Sequence, residues 1–191
     1  VFDGKKINIQ KAAGRLQVLE NMTRGGETMP GCVGIGHTRW ATHGKPTDIN
    51  AHPHDNQDGT IAVVHNGIIE NYQQLKQRLI NRGYKFVSDT DTEVLVQLID
   101  YYYKKYEHTP VDAINHALVR IRGSYALAMM FQEYPGEIYV ARKDSPMIIG
   151  VSDGSNGEAA GTYVASDVPA ILKYTRNVYY IGNLEMGRLT K

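Results

Sequence analysis

Three groups of residues in this chain have types and spacings suited to chemistry on a small polar substrate. Arg39 follows a strand-like run on a glycine-flanked loop, where a guanidinium can clamp a carboxylate through two parallel hydrogen bonds. His65-Asn66-Gly67 closes a second apolar run. An asparagine amide and a glycine N–H placed together can both donate to one oxygen, as an oxyanion hole requires. Asp91 stands between Thr90 and Thr92 at a helix start, where it can accept from an ammonium group. Two of them also have a plainer account: Asp91 as a carboxylate favoured by the helix dipole, and Asn66-Gly67 as a turn.

Histidine is concentrated in the same region. His37, His43, His52, His54 and His65, five of seven in the chain, fall between residues 37 and 65. His52-Pro53-His54 is the sharpest pair, but no HExxH spacing accompanies it and Cys32 belongs to no CxxC, so the spacing points to no metal. The histidines are expected to organise a loop through hydrogen bonds to its backbone. Cys32, the single cysteine, opens an apolar run and reads as a small hydrophobe rather than a nucleophile. It excludes an internal disulfide and suits a reducing, cytoplasmic setting. Lys+Arg number 21 against 20 Asp+Glu, a balance that offers nucleic acid or an anionic membrane no electrostatic footprint. The tyrosine runs 101–103 and 179–180 have no basic company and read as core and interface aromatics. No apolar run approaches the roughly 18 residues that span a bilayer, and the first residues lack signal-peptide architecture.

The elements that must position these residues follow from periodicity and turn chemistry. Asp3-Gly4 signals a tight hairpin turn, and the chain is expected to begin inside a strand whose earlier part lies upstream. A short helix is predicted from Leu16 to Met22. Val33 to His37 reads as a buried strand and 39–59 as a long functional loop. Ile61 to His65 is a strand. Helices are predicted from about Asn71 to Arg82 with Gly83 past the end, from a capping box at Thr90 and Glu93 to about Tyr106, and from Pro110 to Arg122. Short strands follow at 125–131, 138–142, 147–151, 162–166, 178–181 and 185–189. Central helices flanked by strands imply an α+β fold with mostly antiparallel pairing in one domain, residues 1–191.

Four segments, in this order, carry a resemblance: Gly36-His37-Thr38-Arg39-Trp40-Ala41-Thr42-His43-Gly44, then Asn50-Ala51-His52-Pro53-His54, then His65-Asn66-Gly67-Ile68-Ile69-Glu70-Asn71, then Ser88-Asp89-Thr90-Asp91-Thr92-Glu93-Val94. Together they resemble the class II glutamine amidotransferases, and within them the glutaminase domains that feed ammonia to fructose 6-phosphate to make glucosamine 6-phosphate. The likeness runs from Val1 to Lys191. Class members with other acceptors, such as amidophosphoribosyltransferase and asparagine synthetase, share the Arg and the Asn-Gly but do not usually carry the Trp40-Ala41-Thr42-His43-Gly44 continuation.

The resemblance implies an N-terminal-nucleophile hydrolase fold, a four-layer αββα sandwich with two mostly antiparallel sheets. It implies L-glutamine as substrate and no cofactor. An N-terminal cysteine thiolate attacks the side-chain amide, and its own α-amine, with an ordinary pKa of ~7.7–8.0, serves as base. Asn66 and the Gly67 N–H become the oxyanion hole. Arg39 binds the substrate carboxylate and Asp91 its ammonium. Thr42 and His43 belong to a lid over residues 39–47, and Trp40 gates ammonia. It further implies a downstream sugar-isomerase domain binding fructose 6-phosphate, and a homodimer at full length. No cysteine opens this chain, so the domain is expected to be truncated at its N-terminus and inactive alone. The alternatives are a glutaminase serving another acceptor, and a glutamine-binding module without a nucleophile.

Overall fold

A computed structural model describes residues 1–38, 45–107, 109–155, 157 and 159–190. The elements run α1 (Leu16–Met22), β1 (His54–Asp55), β2 (Ile61–Ile69), α2 (Tyr72–Ile80), α3 (Asp91–Lys105), α4 (Pro110–Leu118), β3 (Gly123–Phe131), β4 (Ile138–Lys143), β5 (Ile148–Ser152), β6 (Gly161–Ala165), a 3-10 turn (Val168–Ala170), β7 (Val178–Tyr180) and β8 (Met186–Leu189). They form two antiparallel sheets, one ordered β1-β2-β3-β4-β8 and the other β6-β5-β7. Among the described residues no helix is long and apolar enough to cross a membrane.

Burial along β2 explains the layering. Ile61, Ala62, Val63 and Val64 are all buried. A strand covered on one face only would alternate. One face, with Ile61 and Val63, joins Leu127, Met129 and Tyr139 in a core shared with α2, α3 and α4. The other, with Val64, joins Ala126, Ala128 and Val140 against Met147, Ile149 and Val164 of the second sheet. Helices therefore cover one face of the large sheet and the small sheet covers the other. On the far side of β5, a Cβ at Gly150 would meet Ile171 and Thr175, so the segment after the 3-10 turn packs there as the outermost layer.

Helix α3 is the central helix, buried almost all round from Asp91 to Asp100. Its start is built from polar side chains. The N-cap Thr90 accepts from the Glu93 N–H through Oγ1 at 3.2 Å, half of the expected box. The Glu93 carboxylate reaches further back than a capping box usually does. It accepts from the Val87 N–H at 2.8 Å, the Ser88 N–H at 2.7 Å and the Ser88 hydroxyl at 2.6 Å. Asp100, also buried, accepts from Asn56 at 2.6 Å, Tyr84 at 2.8 Å and Lys104 at 2.9 Å.

Several expectations need correction. Residues 33–37 are not a buried strand. They are extended, with a single bridge from Val33 to Phe2, and only half-buried at best. Gly34, Gly36 and His37 leave too little apolar surface for the segment to enter the core. Cys32 is accordingly exposed. Strand β2 does not stop at His65 but continues through Asn66-Gly67 to Ile69, paired throughout with β3 from Ile61↔Phe131 to Ile69↔Gly123. Asn66-Gly67 is thus not a turn. The long loop holds the two-residue β1, and α4 ends at Leu118 rather than Arg122. The first hairpin turn is present, with Asp3 Oδ1 accepting from the N–H groups of Lys5 and Lys6 and Gly4 at φ 99°. Its strands pair at Phe2↔Ile7.

Glu93 anchors a loop with one carboxylate, so its removal strands three donors inside the protein. Glu93→Ala should lower the unfolding free energy by about 3 kcal/mol, seen as a lower denaturant midpoint at unchanged m. An unchanged midpoint would show that water replaces the carboxylate without loss.

Candidate active site

The far half of β2 carries the site. Gly67 sits at φ 131°, a backbone region that side-chain-bearing residues rarely adopt. A Cβ there would lie 2.2 Å from the Ser124 carbonyl oxygen of β3 and 3.0 Å from His65 Nε2. Glycine is required twice over, by conformation and by space. Its neighbour His65 is buried and is held from two sides. Nε2 lies 3.4 Å from the Ser124 carbonyl and Nδ1 3.1 Å from Thr92 Oγ1. A carbonyl only accepts, so Nε2 carries the proton and Nδ1 accepts from the threonine.

Asp91 is the first residue of α3 and is 5% exposed. Its Oδ2 accepts from the Ile69 N–H at 2.8 Å and stands 3.9 Å from His65 Nδ1. The helix start is therefore stitched to β2 two residues beyond Gly67. Asp91, distant in sequence, is brought in this way to the strand that carries Asn66 and Gly67.

The Asn66 side chain turns to the other face of the sheet, the face of Val64. Its Oδ1 lies 2.6 Å from His37 Nε2. There, between the two sheets, is a cavity of about 630 Å³ lined by Gly36, His37, Thr38, Asn66 and, on its apolar side, Ala126 and Met147. Asp91 is not part of that lining. A smaller cavity of about 180 Å³ shares His37 and Thr38 and is bounded by Lys11, Thr47 and His52. Lys11 is half-buried there, its Nζ donating to the Ile49 carbonyl at 3.2 Å, and burial lowers its pKa.

Arg39, Trp40, Thr42 and His43 lie outside the described residues. Thr38, immediately before them in the chain, lines both cavities. Cys32 lines neither.

The described histidines bond side chains of other segments as well as backbone. His37 bonds Asn66, His54 Nε2 lies 3.0 Å from Thr90 Oγ1, and His52 Nδ1 accepts from the His65 N–H at 3.4 Å. The rings of His37 and His52 approach at 4.4 Å between centroids, and those of His52 and His54 at 5.2 Å. Among the described residues no group of three or more His, Cys, Asp or Glu is arranged to hold a metal ion. His37, His52 and His65 were missed as site residues, although the histidine density between 37 and 65 was a signal for them.

Known proteins similar to this chain identify its family. A family described as glutamine amidotransferase domain matches residues 37–173. The chain is 52% identical over its whole length to a glutamine–fructose-6-phosphate aminotransferase (isomerizing) from Caldanaerobacter subterraneus subsp. tengcongensis, of which it covers 30%. It is 50% identical to the enzyme of that name from Clostridium acetobutylicum, again over all of this chain and 30% of the relative. The chain thus spans less than a third of the length of these curated relatives. Among solved structures, glutamine phosphoribosylpyrophosphate amidotransferase from B. subtilis matches with a TM-score of 0.60 and 31% identity, over 81% of this chain and 32% of that one. A structure titled as the allosteric regulatory enzyme of purine biosynthesis matches with a TM-score of 0.61 and 32% identity, with the same shares covered. The two antiparallel sheets are those of the N-terminal-nucleophile amidotransferases, and the chain belongs to the glutamine amidotransferase domain family.

Proposed function

We propose that this chain is the glutaminase domain of a glutamine–fructose-6-phosphate aminotransferase. It releases ammonia from L-glutamine for transfer to fructose 6-phosphate, giving glucosamine 6-phosphate. The observation that carries the reading is the pairing of Asn66, its amide held at a cavity, with a Gly67 that only glycine can occupy, three and two residues from the strand position that Asp91 grips.

In the proposed reaction a cysteine thiolate attacks the side-chain amide carbon of glutamine. Asn66 Nδ2 and the Gly67 N–H stabilise the tetrahedral oxyanion. The C–N bond breaks, ammonia leaves with a proton relayed from the nucleophile's own α-amine, and water hydrolyses the glutamyl thioester to glutamate. The reading assigns the nucleophile to a cysteine outside residues 1–191 and gives exposed Cys32 no part. Residues 1–191 form one type-2 amidotransferase domain, working with a sugar-isomerase domain in a longer cytoplasmic homodimer. Arg39 binds the substrate carboxylate and Asp91 the ammonium. Thr42 and His43 close over the substrate, and Trp40 gates the ammonia. Identity of 52% to relatives with this acceptor, against 31% to the phosphoribosylpyrophosphate enzyme, favours fructose 6-phosphate.

Two experiments on the full-length protein that carries this chain test the reading. Asn66→Ala should reduce kcat for glutamine hydrolysis by roughly 10²–10³, the usual cost of one oxyanion donor, with little change in KM. An unaltered kcat would reduce Asn66-Gly67 to strand structure.

Arg39→Ala and Asp91→Asn should each raise the KM for glutamine at least about tenfold, since hydrogen bonds to charged groups contribute ~1.5–3 kcal/mol. The asparagine variant keeps an oxygen to accept from the Ile69 N–H, so it removes the charge and preserves the stitch to β2. The affinity for fructose 6-phosphate should not move. A normal glutamine KM in both variants would sink the substrate-binding assignment.

A further inference from the structure

The geometry points to His37 as the positioning residue that sets the orientation of the Asn66 amide, fixing which end of it meets the substrate. The inference rests on the proposed oxyanion role of Asn66 and adds the group that makes that role specific. An asparagine amide is nearly symmetric in shape, and its oxygen and nitrogen exchange places by a half-turn about the terminal bond. With the oxygen outward it would repel an oxyanion; with the nitrogen outward it donates to one. His37 Nε2 lies 2.6 Å from Asn66 Oδ1. An amide oxygen only accepts, so His37 must present Nε2–H, and the amide nitrogen is turned away from the ring. Asn66 lines the cavity, and in the proposed role its Nδ2 donates to the ligand there.

The ring that holds the amide is itself held. His37 packs against His52 with centroids 4.4 Å apart, and His52 against His54 at 5.2 Å. His52 Nδ1 accepts from the backbone N–H of His65, the residue before Asn66. His54 bonds Thr90, the residue before Asp91. Three rings in contact, the first pair tilted and the second edge-to-face, therefore lead from the Asn66 amide to the helix start that carries Asp91.

The test is a double-mutant cycle in the full-length enzyme. His37→Phe keeps a ring against His52 and removes the donor. It should lower kcat for glutamine hydrolysis by about tenfold, the loss expected for one hydrogen bond, and shift KM by less than about threefold. His37→Gln, whose amide nitrogen falls near the place of Nε2, should recover most of that loss. In an Asn66→Ala background the same His37→Phe change should alter kcat by less than about twofold, because the group it orients is gone. Should His37→Phe fail to fold, His37→Ala removes the donor without overlap and carries the same expectations. Equal losses in both backgrounds, or no recovery with glutamine, would overturn the positioning role. If Asn66→Ala alone leaves kcat unchanged, it is the oxyanion assignment that fails, and the two failures are distinct.

Discussion

The hydrogen bond from the Ile69 N–H to the Asp91 carboxylate, 2.8 Å long and buried, joins the end of β2 to the start of α3. A buried carboxylate is tolerated only where its surroundings supply donors, and here one donor is the strand itself. The residues beside Asp91 make similar attachments to other segments. Thr90 binds His54, Thr92 binds His65, and Glu93 collects the loop at 87–88. Four consecutive residues thus hold three parts of the chain: β1, β2 at two points, and the loop at 87–88. This junction, more than the helix's apolar faces, fixes the site's geometry, because packing alone permits small slides that a directional bond does not.

The same constraint decides what glycine does at position 67. Strand β2 runs paired with β3 up to Ile69, yet the backbone at Gly67 takes a conformation of positive φ against the Ser124 carbonyl. Such strain persists only where the surroundings over-determine it. On one side His65 is fixed by Ser124 and Thr92, and on the other Ile69 is fixed by Asp91. The irregular residue lies between two clamped ones.

Much of this was legible in the sequence, though unevenly. Period-two and helical patterns placed β2, β3, α2 and α3 and nearly all of the C-terminal strands, because those segments bury one or both faces and their side chains record it. Thr90 with Glu93 marked the start of α3 correctly. Residues 33–37 misled because Val33 and Ile35 imitate a buried strand, while Gly34 and Gly36 give a partner nothing to pack on. Asn66-Gly67 imitated a turn because local chemistry favours one there. Nine pairs with β3 override that preference, and pairing over such a distance leaves no local mark. The roles of Asn66, Gly67 and Asp91 were proposed from motif types alone, but their proximity required the fold. His37 and His65 were named in the sequence but given no site role, because their partners, Asn66, Thr92 and Ser124, are remote in sequence.

A rigid spacing between Asn66 and Asp91 bears on selectivity for the substrate's length. On the proposed reading, Asp91 grips one end of an amino acid and Asn66 meets the amide at the other. A substrate one methylene shorter would lose only ~1–3 kcal/mol of contact in an apolar pocket. Contact alone therefore discriminates weakly. Position discriminates strongly, since a displacement of about 1 Å from the reactive geometry can cost ~10²-fold in rate. Asp91 is tied to Ile69, and Asn66 lies three residues earlier on the same strand. On that reading the separation between head-group anchor and oxyanion donor is set by the backbone of β2, which cannot shorten without breaking its ladder with β3. On that reading a shorter amide held by Asp91 would fall short of Asn66, and one reaching Asn66 would leave Asp91 without its ammonium partner. The strand acts as a ruler because both of its marks are fastened to it.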